Sequence, residues 1–546
     1  MEKLSKPGMG ADRKIKFNGK PVFMLCLVLL NLLAASSCSQ VFFDPNELAT
    51  PPPAGSGGGE FQQTATLVPT QLSIPVPITQ PTSTPTRQAI QATPTSSPVV
   101  GTPKPPILYY AQSGDTMAAL SVRFGVQVSE ITSPTGDPGK GLVKPGTLLV
   151  IPDRVKRDTP STLLMPDSEI IYSVSALDFD SDVYISKTKG YLTTYKEYLG
   201  TGGWHTGAQI VKKAAVENSI NPRLLLSLLE YQSHWLNGKP TNLAEWDYPM
   251  GYVNFDRKDL YRQMNWAISQ LFIGYHGWRQ GKITEITFMD GSRKRLAPEL
   301  NAGTVALMYF FSKVSDPARW SEALYSNNSL PALHEKLFGK YWIRAQSAEP
   351  IFPLDTTMPV LELPFVPGRT WSYTGGPHPA WGNDSVYGAL DFAPQIQDHG
   401  CVPSDQWVTA PAPGIIVRSG NGVVTLDLDG DGIEQTGWVL VFLHIGTNDR
   451  IPAGTWVNTN QQIGHPSCEG GVSTGTHFHF ARKFNGEWIA ADGPLPFILG
   501  GWQAHEGTEA YLGTLTNGDL TVTACTCASA ETLVTRPPLA NQDVKK

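Results

Sequence analysis

The chain has 546 residues, room for about three folded units of ordinary size with linkers between them. Apolar residues make up 41% of it, enough to build cores, and charged residues only 16%. With 42 Lys and Arg against 48 Asp and Glu, the net charge of −6 gives no support to a nucleic-acid binder, which needs a clustered basic surface.

The first 38 residues read as a targeting segment. Arg13, Lys14, Lys16 and Lys20 form a basic start, and Val22 to Leu33 is apolar except for Asn31. That run is shorter than the roughly 20 residues of a membrane span and suits a signal peptide. Ala34, Ala35, Ser36 and Ser37 lead into Cys38. This ending resembles a lipobox, although Ala35 stands where the usual Leu would be. The resemblance implies lipidation at Cys38 and attachment to the outer face of the cytoplasmic membrane; plain secretion is the alternative. Residues 39–106 are rich in Pro, Thr and Gly and predict an extended tether without a core.

Residues 107–153 predict a small unit. Tyr109 to Gln112 is strand-like, and Asp115 or Thr116 caps a helix carrying Met117, Leu120 and Phe124 at helical spacing. Gly125 stops that helix. A second helical stretch is expected near Val128 and Ile131, and Leu148 to Pro152 closes the unit as a strand. The stretches Ser113 to Thr116 and Gly146 to Pro152 resemble a LysM module. The resemblance implies a βααβ fold that binds the glycan of peptidoglycan.

Residues 165–345 predict a mainly helical unit. Leu192 to Leu199, Ile210 to Glu217, Arg223 to Leu236, Leu260 to Tyr275 and Val305 to Lys313 all show helical apolar spacing. Asn221 and Pro222 start one helix, with Pro where its missing N–H costs nothing. The run from Ala214 through Ser233 resembles the lysozyme-like transglycosylases. The position of that family's catalytic Glu is Gln232 here, and an amide cannot donate the proton that glycosidic cleavage requires. Glu230 lies two residues away along the helix, on a different face. A non-catalytic role for this unit is therefore expected.

After a connector at 346–360, residues 363–535 change to short alternating strands with Gly turns, the texture of an antiparallel all-β unit. The fold class expected for the whole chain is multidomain α+β. In His477-Phe478-His479-Phe480, strand alternation puts both imidazoles on one face. Asp391 sits among apolar neighbours, where a carboxylate needs a cation or donors. His378 and Asp391 with one of these histidines would make a His₂-Asp zinc site with a position left for water. His444 ends the apolar run Trp438 to Leu443.

These pieces resemble the lysostaphin-like zinc endopeptidases, and among them the β-lytic type. The commoner branch has its first His four residues before the Asp, and that position here is Tyr387; the β-lytic branch has it thirteen before, which is His378. The resemblance implies zinc on His378, Asp391 and His479, with His444 and His477 beside the bound water. It further implies cleavage of peptide bonds in peptidoglycan. His399 and His465 are the substitutes should His378 fail as a ligand.

Four cysteines, Cys401, Cys468, Cys525 and Cys527, lie in this unit; in an exported chain they predict disulfides with three pairings open. A Cys401–Cys468 bridge would hold the walls of the groove. Asp427, Asp429 and Asp431 look like half a calcium loop without its closing Glu and are read as an acidic hairpin turn. Two rival functions stand beside the hydrolase: an inactive wall-binding scaffold or amidase activator, and a secreted enzyme whose middle segment is an inhibitory pro-region.

Overall fold

The computed structural model describes residues 104–395, 400–527 and 529–539. The targeting segment with Cys38, nearly all of the tether, and His399 lie outside the described residues.

The small unit pairs Ile107–Tyr110 antiparallel with Leu148–Ile151. Between them runs the helix Met117–Phe124, capped by the Thr116 hydroxyl and ended by Gly125 at φ 62°. The expected second helix is only one 3₁₀ turn, Val128–Glu130. Pro134, Gly136, Pro138 and Gly139 follow closely and deny the chain helical continuation. A core of Tyr109, Leu120, Phe124, Leu149 and Ile151 holds the unit together.

The middle unit is helical, with Gly207–Asn218, Pro222–Ser233, Leu260–Arg279 and Ala302–Val314 as its principal helices. Asn221 caps the second of these with Pro at its start. Leu192 to Leu199 is not a helix. It forms a 3₁₀ turn followed by the strand Lys196–Tyr198, which pairs with Trp204–Thr206. Gly200 and Gly203, both at positive φ, reverse the chain there, and β-favouring Tyr198 and Trp204 face each other across the hairpin.

The C-terminal unit is built on a nine-stranded antiparallel sheet. Its strand order is Trp456–Val457, Gly414–Gly420, Val423–Asp427, Trp438–Leu443, Phe478–Phe484, Tyr387–Pro394, Thr370–Pro379 and Leu533–Thr535, with Glu487–Trp488 paired to Phe478–Phe484. One face carries Val424, Leu440, Phe442, Phe478, Phe480 and Phe392 into a core of its own.

The other face carries Val439, Val441, Ala481 and Ala389, and these share one continuous core with the helices. The helical and β units, expected from the sequence as separate units, instead bury a common surface. Polar contacts reinforce it. The Trp488 indole donates to the Asn218 carbonyl at 2.8 Å, and the Tyr275 hydroxyl donates to Glu487 at 2.7 Å. The largely buried Arg279 guanidinium pairs with Asp167 at 2.9 Å and Glu487 at 3.1 Å. Among the described residues, no helix is long and apolar enough to cross a membrane.

Candidate metal centre

The sheet face that lies against the helices also bears the site. His479 stands directly opposite Asp391 on the neighbouring strand and opposite Leu443 on the other side. His378 comes from the adjacent strand, whose register slips on both sides of it. Such irregularities re-aim a side chain, here toward Asp391. Gly375 and Gly376 precede it. A Cβ on Gly375 would stand 2.5 Å from Asp391 Oδ2, and one on Gly376 2.5 Å from the Leu512 carbonyl. The two glycines therefore let the carboxylate and the 511–513 segment close on the site.

His378 Nε2 lies 2.9 Å from His479 Nδ1 and 3.3 Å from Asp391 Oδ1, and His479 Nδ1 lies 3.5 Å from the same oxygen. Four ligands at zinc–ligand distances of about 2.0–2.1 Å would stand roughly 3.3 Å apart, so this triangle matches one face of a tetrahedron. The far nitrogens fix the tautomers. His378 Nδ1 donates to the Gly376 carbonyl at 2.8 Å, and His479 Nε2 donates to the Ala380 carbonyl at 3.0 Å. Carbonyls only accept, so in the neutral rings the facing nitrogens carry lone pairs. Asp391 Oδ1 is buried and has no hydrogen-bond partner among the described residues. With both rings neutral, three acceptors converge, and the group fits a cation.

The remaining two histidines complete the site. His477 Nε2 is 3.8 Å from Asp391 Oδ2, and the His444 and His477 ring centroids are 4.6 Å apart. Both are held in the same way as the first pair. His444 Nδ1 donates to the Glu469 carbonyl at 2.9 Å, and His477 Nδ1 donates to the Gly475 carbonyl at 2.8 Å. Burial, with the positive potential of His477 and His479, pushes the His444 imidazole down to about 3, so it is neutral at physiological pH. Burial also lowers His479. Burial would raise the Asp391 carboxyl, but His378 and His477 overcome it and hold it well below the usual range.

All five residues singled out in the sequence therefore meet. His465 does not join them: its Nδ1 donates to the Gln406 carbonyl at 2.9 Å and its ring lies against Trp407. Cys401 and Cys468 form a disulfide, and so do Cys525 and Cys527. One aromatic of the site escaped the sequence reading. Tyr511 stacks on His378 with centroids 4.2 Å apart and planes 19° from parallel. It lies far along the chain in a turn, without a local motif to mark it.

A family described as LasA, N-terminal domain, matches residues 163–351, the helical unit. Protease LasA of Pseudomonas aeruginosa is 24% identical over 377 residues, which span 64% of this chain and 80% of that protein. The β-lytic metalloendopeptidase of Achromobacter lyticus is 28% identical to this chain over 142 residues, 24% of the chain and 36% of that protein. Among solved structures, the M23 metalloprotease pseudoalterin aligns with a TM-score of 0.26 and 22% identity, covering 31% of this chain and 96% of its own. The catalytic domain of lysostaphin from Staphylococcus simulans aligns with a TM-score of 0.17 and 25% identity, covering 22% and 89%.

Proposed function

We propose that the chain is a zinc-dependent endopeptidase that hydrolyses peptide bonds in the cross-links or stems of peptidoglycan. His378, Asp391 and His479 hold the metal, and His444 and His477 handle protons. One observation carries this reading: two imidazole lone pairs and an orphaned carboxylate oxygen crowd within 3.5 Å of each other in a buried site. With both rings neutral, such an arrangement is repulsive unless a cation lies between the three atoms. Two nitrogens and one oxygen suit zinc, which keeps a fourth position for water in catalytic sites. The names of the relatives, a protease and a metalloendopeptidase, support peptide-bond hydrolysis.

When bound, zinc supplies a Lewis acid and a water acidified toward a pKa of about 7. The chain supplies the rest. The Gly376 and Ala380 carbonyls orient the ligand rings. Neutral His444 presents its Nε2 as a proton acceptor, and His477 in its protonated form donates to the developing oxyanion or the leaving amine. The small unit at 107–153 acts as a LysM-type glycan anchor, and Cys38 carries the lipid that fixes the enzyme to the membrane.

Digestion of purified sacculi by the full chain, followed by mass analysis, tests this. Peptide fragments with new amino and carboxyl ends are expected, lost with a chelator and restored by zinc. Uncut sacculi in the presence of zinc-loaded protein would favour the scaffold reading. The pro-region reading has one observation on its side, because the helical unit covers the sheet face that bears the site. Its removal would uncover Val439, Val441, Ala481 and Trp488. N-terminal sequencing of the mature protein separates the two: an intact helical unit is expected.

A further inference from the structure

The five site residues are held by two different devices. His378, Asp391 and His479 belong to hydrogen-bonded strands of the sheet. His444 and His477 lie just beyond strand ends, and His444 has a φ of 65°, a left-handed conformation that a non-Gly residue keeps only when its surroundings enforce it.

Those surroundings converge on one covalent link. Ser467, beside Cys468, donates its backbone N–H to the His444 carbonyl at 2.7 Å and its hydroxyl to the same carbonyl at 3.0 Å. Its own carbonyl accepts the backbone N–H of His477 at 3.4 Å. On the other side of Cys468, the Glu469 carbonyl holds the His444 ring. The second sulfur belongs to Cys401. Its neighbour Gly400 accepts the Thr476 backbone N–H at 3.0 Å through its carbonyl. Its other neighbour, Val402, accepts the Thr476 hydroxyl at 2.6 Å and donates its N–H back at 3.0 Å. Thr476 directly precedes His477. One half of the bridge therefore grips the segment around His444, and the other half grips the residue that aims His477.

We infer that the Cys401–Cys468 disulfide, together with Thr476, is a positioning device for the two proton-handling histidines and is not needed to assemble the metal ligands. The inference rests on the proposed hydrolase reading. Misplacing a reacting group by about 1 Å is enough to cost on the order of a hundredfold in rate.

The test replaces both cysteines (C401S with C468S) in the full chain and measures zinc content, kcat and KM on sacculi, and hydrogen exchange over residues 440–447 and 467–477. Zinc is expected to stay at the wild-type level. The kcat should fall about tenfold to a hundredfold, with KM changed by less than about threefold. Exchange should rise in both segments. Thr476→Val, which keeps the bridge and side-chain shape but removes the hydroxyl, should lower kcat in the same direction, and Thr476→Ser should restore it. This pair carries the test if the cysteine variant does not fold. The matching control, C525S with C527S, should leave kcat unchanged. Unchanged kcat and exchange in the bridge variant, or parallel loss of zinc and kcat, would overturn the inference. Inactive wild-type protein with zinc bound would instead refute the hydrolase reading, while the exchange readout would still judge the clamp.

Discussion

Among the described residues, two groups of side chains in the C-terminal unit are close enough to share a metal ion: His378, Asp391 and His479, and the acidic turn Asp427, Asp429 and Asp431. Their lone pairs are disposed in opposite ways. In the turn every carboxylate already has donors. Asp427 accepts the backbone N–H groups of Asp429 and Gly432 at 3.2 and 2.8 Å. Asp429 accepts the N–H of Asp431 at 3.2 Å, and Asp431 accepts the Ile433 N–H at 2.8 Å and the Thr436 hydroxyl at 2.7 Å. Asp429 and Asp431 are also exposed. This turn joins the paired strands Val423–Asp427 and Trp438–Leu443, and its acids brace it. In the histidine group, Asp391 Oδ1 has no donor among the described residues and both facing nitrogens are bare. Proximity of ligand-type atoms is therefore a weak sign of a metal site, and unsatisfied lone pairs in a buried place are a strong one.

That contrast is sharpened most by His479→Ala, which removes one corner of the triangle. Zinc content should fall from about one equivalent to near zero, and hydrolysis by a thousandfold or more. Retained zinc would break the contrast. His444→Ala comes next. It should keep the metal and lose about a hundredfold to ten-thousandfold in kcat, the range for a general acid or base.

A smaller effect concerns acid stability. The His444 imidazole has a folded value of about 3, below its ordinary 6.5. Between these pH values the unfolded chain binds a proton that the folded chain refuses. The stability this group contributes is thus complete above pH 6.5 and is lost as pH falls toward 3. Melting temperature measured across that window should fall less steeply in His444→Ala than in wild type. Glu434 adds a lower window. Burial opposes its ionisation, but Lys483 and Arg418 hold it at about 2, so its contribution is present above 4.5 and lost as pH falls toward 2. The smallest change is expected in the acidic turn. Asp429→Asn should leave zinc content and activity as they are and shift stability by no more than about 0.5 kcal/mol, and added calcium should not raise the melting temperature.

Much of the site was legible in the linear order because its chemistry is carried by rare residue types in strands. His-x-His alternation announced a shared face, and the apolar setting of Asp391 announced a need for compensation. The thirteen-residue interval between His378 and Asp391 fits two adjacent strands joined by a short loop. The anchoring carbonyls at Gly376, Ala380, Glu469 and Gly475 were not legible, because every residue has a carbonyl and only the fold selects four of them. Tyr511 was missed for the same reason.

At the level of elements, the long helices were plain from their apolar spacing. Leu192 to Leu199 misled because Leu192, Tyr195 and Leu199 fall at helical intervals, while the glycines just after them turn the chain into a hairpin. The shared core between the helical and β units also escaped. Val439, Val441 and Ala481 are ordinary apolar strand residues, and nothing local says that a helix lies over them.

Metal analysis of the purified full chain after zinc exposure and removal of excess ion tests the central claim most directly. The account predicts one zinc per molecule in the wild type and none in the His479→Ala protein. Folded wild-type protein that takes up no zinc, or an alanine variant that holds as much as the wild type, would contradict it.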